Sequence, residues 1–400
     1  MTHSNSDEEY NVVFMGNFGY PEGMAGTKRI QHAADLLQND QHTTSVLQLH
    51  QPDTSRNPSS GVFRNSPFVN LDITFKNVSQ VNLTISNRIH ALHYLKKWYR
   101  PDRKNIIYHY KRPVSGCILK FLYARLNGYR IVLDITEDVR HAKRYQGSVL
   151  NTIKHTYHTF LQERTADLAD GVFTVSRTLL SRYRQICHNR IPVVHRTISV
   201  DANQFQRSGS SSFHQPVRLL YSGSFAPKDG VENLIRAFDT VSKQYSVELT
   251  LTGTGKESRM KNIRTLIADC AHSERIKLTG YLPKDDYYHL IESSDIACVP
   301  RIDSPYARAG FPFKLGEYLA TGKPVVASRV SDVEQYLDHG VSAILIEPGS
   351  VASLESGLSQ LLDDPDRARE IGARGRRVAE EQFGPEAQRC QIYEMFRAIN

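Results

Sequence analysis

The segment Gly310–Ser328, GFPFKLGEYLATGKPVVAS, constrains the fold of this chain more than any other stretch. Pro312 lacks an N–H and has a fixed φ, so the opening tripeptide belongs neither to a helix interior nor to a central strand. Apolar and polar residues alternate at helical spacing over Phe313–Thr321, Gly322 ends that helix, and Pro324–Ala327 is a short apolar run. The segment therefore predicts a loop, a helix, a turn and a buried strand.

Strand patterns alternate with helix patterns along the whole chain, and the clearest helices are predicted over Thr27–Leu37, Val149–Leu168 and Ser176–Gln185. In the N-terminal half, short apolar runs predict strands at Asn11–Phe14, Thr44–Leu49, Leu83–Ile85, Asn105–Tyr108, Ile131–Asp134, Gly171–Val175 and Pro192–His195. In the C-terminal half, the corresponding runs are Arg218–Tyr221, Val247–Leu251, Ile276–Thr279, Ile296–Val299, Pro324–Ala327 and Ala343–Ile346. Alternating strands and helices build parallel sheets with helices on both faces, so the predicted fold class is α/β.

The polar, low-complexity stretch Arg207–Ser212 separates the two series and is typical of a linker. Four hundred residues suffice for two domains that each bury a core. The predicted organisation is a Rossmann-like domain over residues 1–206, a linker over 207–216, a second Rossmann-like domain over 217–383 and a C-terminal helix over 384–400. For that helix, packing back on the N-terminal domain is one option.

Composition favours a protein of a reducing compartment. No apolar run reaches the roughly 18–20 residues that a membrane-spanning helix needs. The N-terminal MTHSNSDEEY is polar and acidic, unlike a signal peptide. The five cysteines are odd in number, widely spaced and without a C-x-x-C pair, which disfavours a disulfide framework or a zinc site. The expected location is cytoplasmic.

The opening segment resembles the donor-sugar motif of the retaining, nucleotide-sugar-dependent glycosyltransferases of family 4, in its F-P-x-K-L-x-E-Y-L-A-x-G-x-P-V-V form. Further motifs agree in order: a glycine-bearing loop at Tyr221–Gly230, Leu251–Gly255 after a strand, and Gly280–Pro283 before a helix. The match is dense from about residue 218 to 383 and patchy in the N-terminal half. The resemblance implies the GT-B fold, with two Rossmann-like doubly wound domains facing a central cleft.

The same resemblance implies transfer of a sugar from a nucleotide diphosphate-sugar to an acceptor hydroxyl, with retention of anomeric configuration, in glycan, glycolipid or exopolysaccharide biosynthesis. The N-terminal domain would then serve the acceptor and the C-terminal domain the nucleotide-sugar. One alternative is a degenerate GT-B protein that binds a nucleotide or glycan without turnover. A nicotinamide dehydrogenase would need G-x-G-x-x-G after the first strand, which Gly16-Asn-Phe-Gly19 does not supply.

Candidate donor-site residues lie at predicted strand ends of the C-terminal domain, where ligands bind in such sheets. By the resemblance, Glu317 hydrogen-bonds the donor ribose and Lys314 contacts the donor phosphate or sugar, so both are catalytic-site candidates. The donor-binding candidates are Gly223, Ser224, Lys228, Gly253, Tyr281, Leu282, Arg301, Gly310, Phe311, Pro312 and Leu315.

Three positions depart from the family pattern. Ser224 and Asp229 stand where most members have the Arg and Lys of the phosphate loop, and Ala309 stands where the first glutamate of E-x7-E belongs. Arg301 could supply some of the missing positive charge. These departures keep the binding-only alternative open.

The N-terminal candidates rest on weaker patterns. Gly23 and Gly26 lie in a stretch that resembles the family's glycine loop, which faces the diphosphate and the acceptor. Glu137 follows a strand end, where a carboxylate can bind acceptor hydroxyls or assist proton transfer, although a helix-capping role is an equal alternative. His109 follows another strand end and is either an acceptor contact or a core histidine.

No metal or other cofactor is expected. The D-x-D match Asp364-Pro-Asp366 precedes a predicted helix, where Asp is a favoured N-cap, and no H-E-x-x-H pattern occurs. A metal-independent transferase must offset the leaving diphosphate with cations and backbone N–H groups.

The stretch Ser86–Arg130 is strongly basic, with eleven Lys or Arg residues against one acid, Asp102, and interleaved aromatic residues. Two interpretations stay open: a solvated face, or a patch that docks on an anionic membrane surface and places the protein peripherally on it. A nucleic-acid partner is disfavoured, because no nucleic-acid-binding module is recognisable. The expected partners are a nucleotide-sugar donor and a glycan or lipid-linked acceptor.

Overall fold

The computed structural model describes residues 8–49, 57–71, 80–111, 117–141, 149–205 and 213–400. The chain forms two compact units: unit 1 comprises Met1–Thr197 with Gln388–Asn400, and unit 2 comprises Ile198–Ala387. Most of the expected linker over 207–216 lies outside the described residues. Within the described ranges, no helix combines the length and the apolar character needed to cross a membrane.

Unit 1 is built on an eight-stranded sheet in the order β3-β4-β2-β1-β5-β6-β7-β8, parallel except for the antiparallel β3–β4 pair. Its strands are β1 (Tyr10–Gly16), β2 (Thr43–Gln48), β3 (Ser60–Phe63), β4 (Ser66–Asn70), β5 (Lys104–Tyr110), β6 (Tyr129–Ile135), β7 (Gly171–Thr174) and β8 (Val193–His195). Its first helices are α1 (Ala25–Asn39), α2 (Gln80–Trp98), α3 (Cys117–Leu126), α4 (Val149–Ala166) and α5 (Arg177–Ile186).

One sequence-based assignment in unit 1 is wrong, and one motif is missed. The strand predicted at Leu83–Ile85 is part of helix α2, and the hairpin of β3 and β4 was not predicted. A short apolar run fits a strand and a buried helix equally well. In α2 the deciding signal lies further along, where Ala91 and Leu95 are buried four residues apart.

Unit 2 is built on a six-stranded, all-parallel sheet in the order β11-β10-β9-β12-β13-β14. Its strands are β9 (Val217–Ser224), β10 (Val247–Thr254), β11 (Ile276–Gly280), β12 (Ile296–Val299), β13 (Val325–Ser328) and β14 (Ile344–Ile346). Its helices are α6 (Val231–Val241), α7 (Glu257–Ala268), α8 (Lys284–Ser293), α9 (Pro305–Ala309), α10 (Phe313–Ala320), α11 (Val351–Asp363) and α12 (Pro365–Val378). The segment from Gly310 to Ser328 adopts the predicted loop, helix, turn and strand.

The last helix, α13 (Pro385–Ala398), begins in unit 2 and ends in unit 1. Its Met395 and Phe396 are fully buried in the core of unit 1, where the Phe396 ring lies 4.9 Å from that of Tyr10. A side chain at Gly171 would strike the Met395 sulfur. The C-terminal residues are therefore an integral part of unit 1.

Candidate functional site

The carboxyl ends of β9 and β10 meet in a backbone edge that only glycine can form. Gly223 and Gly253 are register partners with φ of 149° and 127°. A Cβ at Gly253 would collide with the carbonyl oxygen of Gly223, and a Cβ at Gly223 would collide with the Nζ of Lys314. Because both positions lack side chains, a ligand can approach this edge at backbone distance.

Lys314, on the first turn of α10, brings a cation to this edge. Its ammonium donates a hydrogen bond to the carbonyl oxygen of Ser222 and lies 4.9 Å from the centre of the Tyr221 ring. Burial lowers the pKa of Lys314 to about 8, although Asp229 and Glu317 act in the opposite direction. The group is therefore poised to gain from a ligand that brings negative charge.

In the loop between Gly223 and Gly230, the two residues that depart from the family pattern are hydrogen-bonded to each other. The Ser224 hydroxyl donates to the Asp229 carboxylate at 2.6 Å, and Asp229 is buried. Lys228 holds its ammonium 4.5 Å from the centre of the Tyr306 ring. The loop thus presents Lys228 as its only Lys or Arg.

Arg301, in the loop that follows β12, brings a further positive charge near Asp229. It is buried and donates to the carbonyl oxygen of Gly310 at 3.1 Å. Burial lowers the pKa of Arg301, while Asp229 raises it. Among the described residues its Nε has no hydrogen-bond partner. A buried guanidinium with one N–H unused is a ready donor to an anion.

Glu317 is held by a chain of hydrogen bonds that crosses three elements. Tyr318 donates to the Ser222 hydroxyl at 2.7 Å, the Ser222 and Tyr287 hydroxyls lie 3.1 Å apart, and Tyr287 donates to Glu317 at 2.8 Å. Burial and the Glu317 carboxylate raise the pKa of Tyr287 well above its ordinary value, so it stays a donor.

Sequence reasoning missed Ser222 and Tyr287. Only their positions could have indicated them, since Ser222 lies in the strand before the Gly223–Gly230 loop and Tyr287 is in the helix that follows Pro283. A tyrosine on a helix carries no mark of its partner until the fold places that partner.

The other residues predicted to bind the donor fall into two groups, one buried and one accessible to solvent. Phe311 and Leu315 are buried, and the Phe311 ring packs 5.6 Å from that of Tyr336, so these side chains support the site from the core. Pro312 is also buried, as the N-cap residue of α10. Tyr281 is half exposed and Leu282 partly buried, beside Gly280 at the end of β11, where both remain accessible.

In unit 1, the predicted glycines have packing roles at the start of α1. A Cβ at Gly26 would strike the ring of Tyr110, the last residue of β5, and a Cβ at Gly23 would strike the Thr27 hydroxyl. That hydroxyl donates to the carbonyl oxygen of Gly19 at 2.6 Å. Gly26 therefore sets how closely the helix approaches the sheet, and Gly23 leaves room for the Thr27 side chain.

His109 is a buried histidine with partners on both nitrogens. Its Nδ1 lies 3.1 Å from the carbonyl oxygen of Lys111, and its Nε2 lies 3.4 Å from the Cys117 sulfur. Burial lowers the pKa of His109 to about 4, so the ring is neutral at pH 7. Glu137 is exposed after the end of β6, and one of its oxygens lies 3.9 Å from the Lys111 ammonium.

A fully buried charge network lies beneath these strand ends. Arg29 of α1 makes a two-point contact with Asp134 of β6, at 2.6 and 3.0 Å, and also donates to the carbonyl oxygens of Arg196 and Thr197. Tyr108 donates to Asp134 at 2.5 Å and accepts a hydrogen bond from Arg196. The Asp134 carboxylate thus pairs with two buried guanidinium groups.

The part of the chain that the structure describes contains no group of three or more His, Cys, Asp or Glu side chains that could hold a metal ion. Asp364, in the D-x-D match, is the N-cap of α12, and its side chain accepts from the Arg367 N–H at 2.9 Å. The helix-capping interpretation of this match is confirmed.

Residues 203–378 match the family described as Glycosyl transferases group 1. The chain is 31% identical over 180 residues to the MMP alpha-(1->4)-mannosyltransferase of Mycolicibacterium hassiacum. The matched region covers 44% of this chain and 42% of the relative. Over 167 residues it is 28% identical to the amylovoran biosynthesis glycosyltransferase AmsK of Erwinia amylovora, covering 41% and 40%. The chain thus spans about two fifths of the length of these curated relatives.

Solved structures resemble the chain over nearly its whole length. The sucrose-phosphate synthase of Thermosynechococcus elongatus has a TM-score of 0.74 at 16% identity, over 97% of this chain and 98% of the other. HepE of Anabaena in complex with UDP-glucose has a TM-score of 0.70 at 16% identity, over 97% and 99%. The chain therefore has the GT-B fold, and its residues 203–378 are similar to the glycosyl transferases group 1 family.

Proposed function

We propose that this protein is a glycosyltransferase that moves a sugar from a nucleotide diphosphate-sugar to an acceptor hydroxyl. The observation that carries the proposal is the arrangement at the glycine edge of unit 2. There the cation of Lys314 and the oriented carboxylate of Glu317 lie on one helix beside Gly223 and Gly253. An anion and a polyhydroxylated ring are the ligand features that such a pair recognises.

Each donor-site residue has a proposed role. The backbone at Gly223 and Gly253 admits the diphosphate, and Lys314, Lys228 and Arg301 offset its charge. Glu317 accepts hydrogen bonds from the ribose hydroxyls. At the end of β11, Tyr281 and Leu282 offer an aromatic and an apolar surface to the base and ribose.

We propose a retaining, metal-independent reaction of the family 4 type. The acceptor oxygen bonds to the anomeric carbon on the face from which the diphosphate leaves, and its proton passes to the departing phosphate oxygen. The electron pair of the broken C–O bond stays on the diphosphate, where the three cations stabilise it. Glu137 is the proposed acceptor-side residue, whereas His109, buried with partners on both ring nitrogens, fits its alternative as a core histidine.

The relatives supply the proposed biological setting. One is named for amylovoran biosynthesis and another as a mannosyltransferase, and HepE is solved with UDP-glucose. For this chain we propose a glycan or lipid-linked acceptor in polysaccharide or glycolipid assembly, at the cytoplasmic face of a membrane. The binding-only alternative gains no support, because Arg301 and Lys314 provide the charge that Ser224 and Asp229 do not.

A panel of UDP-, GDP- and ADP-sugars tests the proposed function. With one of them the protein should bind the donor, seen by saturation transfer, and release the nucleoside diphosphate slowly in the absence of acceptor. Release should continue in excess EDTA, since no metal is proposed to hold the diphosphate. Binding without any release, with or without added glycan acceptors, would favour the binding-only alternative. Complete and reversible inhibition by EDTA would contradict the metal-free mechanism.

Lys314→Ala should weaken binding of the free nucleoside diphosphate as well as of the sugar donor by about tenfold or more, since a charged hydrogen bond contributes roughly 1.5–3 kcal/mol. Only the protonated amine attracts a diphosphate, so the wild-type affinity should fall as the pH rises through about 8. Calorimetric titration between pH 7 and 9.5 measures both effects.

The variant should lose this pH step, and Lys261→Ala, which alters an exposed lysine of the same unit, should keep it. Lys228→Ala should also lose affinity for the free nucleoside diphosphate. If either lysine variant loses affinity only for the sugar donor, that lysine contacts the sugar and not the diphosphate.

A further inference from the structure

Helix α3 carries a stripe of exposed leucines. Leu119, Leu122 and Leu126 follow one another at spacings of three and four residues, so they share one face, and their side chains are 44% to 88% exposed. The same helix is anchored by the buried residues Phe121 and Ala124 on its other side. These leucines therefore do not serve the core of unit 1.

Helix α4 carries a second stripe of the same kind. Ile153, Tyr157 and Phe160 are spaced four and three residues apart and are 50% to 60% exposed. Helices α3 and α4 connect β5 to β6 and β6 to β7, which are successive neighbours in the sheet. Right-handed crossovers in one direction place both helices on the same face of the sheet. We call these six side chains the apolar ridge.

Basic residues predominate around the apolar ridge, and the acidic Asp167 and Asp170 beside it are paired with Arg164 and Arg125. Helix α2, which packs against α3, exposes Lys96 and Lys97 at its end, and Arg100 follows it. Within the described helices α2, α3 and α4 the single acidic residue is Glu163, which is paired with Arg182. A surface with apolar side chains beside unopposed cations is complementary to an anionic bilayer, which has acyl chains beneath negative headgroups.

We infer that the apolar ridge is a membrane-docking surface that inserts between the headgroups of an anionic lipid bilayer. The inference deepens the proposed function by naming the membrane contact, and it rests on that function only for the lipid-linked acceptor. Lysine is depleted at protein–protein interfaces, whereas juxtamembrane surfaces favour it, so the Lys96 and Lys97 pair argues for lipid over a protein partner.

Co-sedimentation with vesicles of phosphatidylcholine, with and without phosphatidylglycerol, tests the inference. Wild type should pellet with the anionic vesicles at low salt, and part of that binding should persist at high salt, because insertion of apolar side chains is not screened. Substituting Leu119, Leu122 and Leu126 with Ser should remove the salt-resistant part. These residues are exposed, so the variant should keep the wild-type circular dichroism and melting temperature.

A basic variant separates the electrostatic contribution. Substituting Lys96, Lys97 and Arg100 with Gln should weaken binding to anionic vesicles on the order of a hundredfold at low salt, since each cation contributes about fivefold. Arg103 is not included, because it is paired with Glu9 at 2.7 Å. Val62→Ser, which removes an exposed apolar side chain on β3, should bind like wild type.

Two results would overturn the inference: wild type in the supernatant with both vesicles at low salt, or unchanged pelleting of the leucine variant. Unchanged pelleting together with an altered oligomeric mass of that variant would make the ridge a contact between copies of the chain. Release of nucleoside diphosphate without lipid should be the same in the leucine variant and wild type. Its absence in wild type would therefore count against the proposed function alone.

Discussion

Replacing Asp134 with Asn is expected to lower the free energy of unfolding of unit 1 by about 3–5 kcal/mol, because a buried ion pair that loses one partner leaves an uncompensated charge. The carboxylate lies between Arg29 and Arg196, both fully buried. Burial lowers the pKa of Arg196. It acts in the same direction on Arg29, but Asp134 and Tyr108 outweigh it, and the pKa of Arg29 is raised.

Trp98 makes this measurement specific, since it is the single tryptophan of the chain and belongs to unit 1. Urea unfolding followed by its fluorescence should show the destabilisation in Asp134→Asn. Glu137→Gln, which alters an exposed carboxylate, should stay within about 0.5 kcal/mol of wild type. A midpoint for Asp134→Asn equal to that of Glu137→Gln would contradict the assignment.

Removing one guanidinium should cost less than removing the carboxylate. Among the described residues, two nitrogens of Arg196, Nε and Nη2, have no hydrogen-bond partner. Arg196→Met in the Asp134→Asn background should therefore recover part of the lost stability. The network thus acts in unit 1 as a structural element, while Glu137 remains the carboxylate proposed for the acceptor side.

Glu317→Ala is expected to weaken binding of the ribonucleoside diphosphate by at least about tenfold, since each charge-assisted hydrogen bond to the ribose contributes roughly 1.5–3 kcal/mol. The loss should be smaller for the 2′-deoxyribonucleoside diphosphate, which lacks one of the two hydroxyls. Calorimetric titration of both ligands measures it, with the melting temperature as a check on folding. Unchanged affinity for both ligands would show that Glu317 does not bind the ribose.

Tyr287→Phe tests whether the hydrogen-bond chain positions Glu317. Loss of the donor at 2.8 Å should weaken ribonucleotide binding less than Glu317→Ala does. In the Glu317→Ala background it should have no further effect, because the two residues act as one unit. Tyr288→Phe is the matched control, since this neighbour donates instead to Gln204 at 3.2 Å. Additive losses would give Tyr287 a ligand contact of its own.

Much of the architecture was predictable, because each strand and helix of an α/β chain has a characteristic spacing of apolar residues over a few neighbouring positions. The segment around α10 shows this, since its loop, helix, turn and strand were each indicated by residues a few positions apart. The error at Leu83–Ile85 has the same origin, because three apolar residues do not define a period. The hairpin of β3 and β4 escaped notice because its strands are short and are flanked by polar residues.

By itself the sequence determined the two series of α/β elements and placed Lys314 and Glu317 on one helix, since three residues along a helix span nearly one turn. Only the tertiary structure decided what these side chains meet. The Ser222 carbonyl that Lys314 binds is 92 positions away, the Tyr287 hydroxyl that Glu317 accepts is 30 away, and Arg29 is 105 from Asp134. The exposure of the apolar ridge could not be predicted either, because the spacing of apolar residues along a helix is the same whether that face packs on a sheet or contacts solvent. Periodicity is a property of residues that are close in sequence. Hydrogen-bond partners and exposure depend instead on which distant segments of the chain pack together.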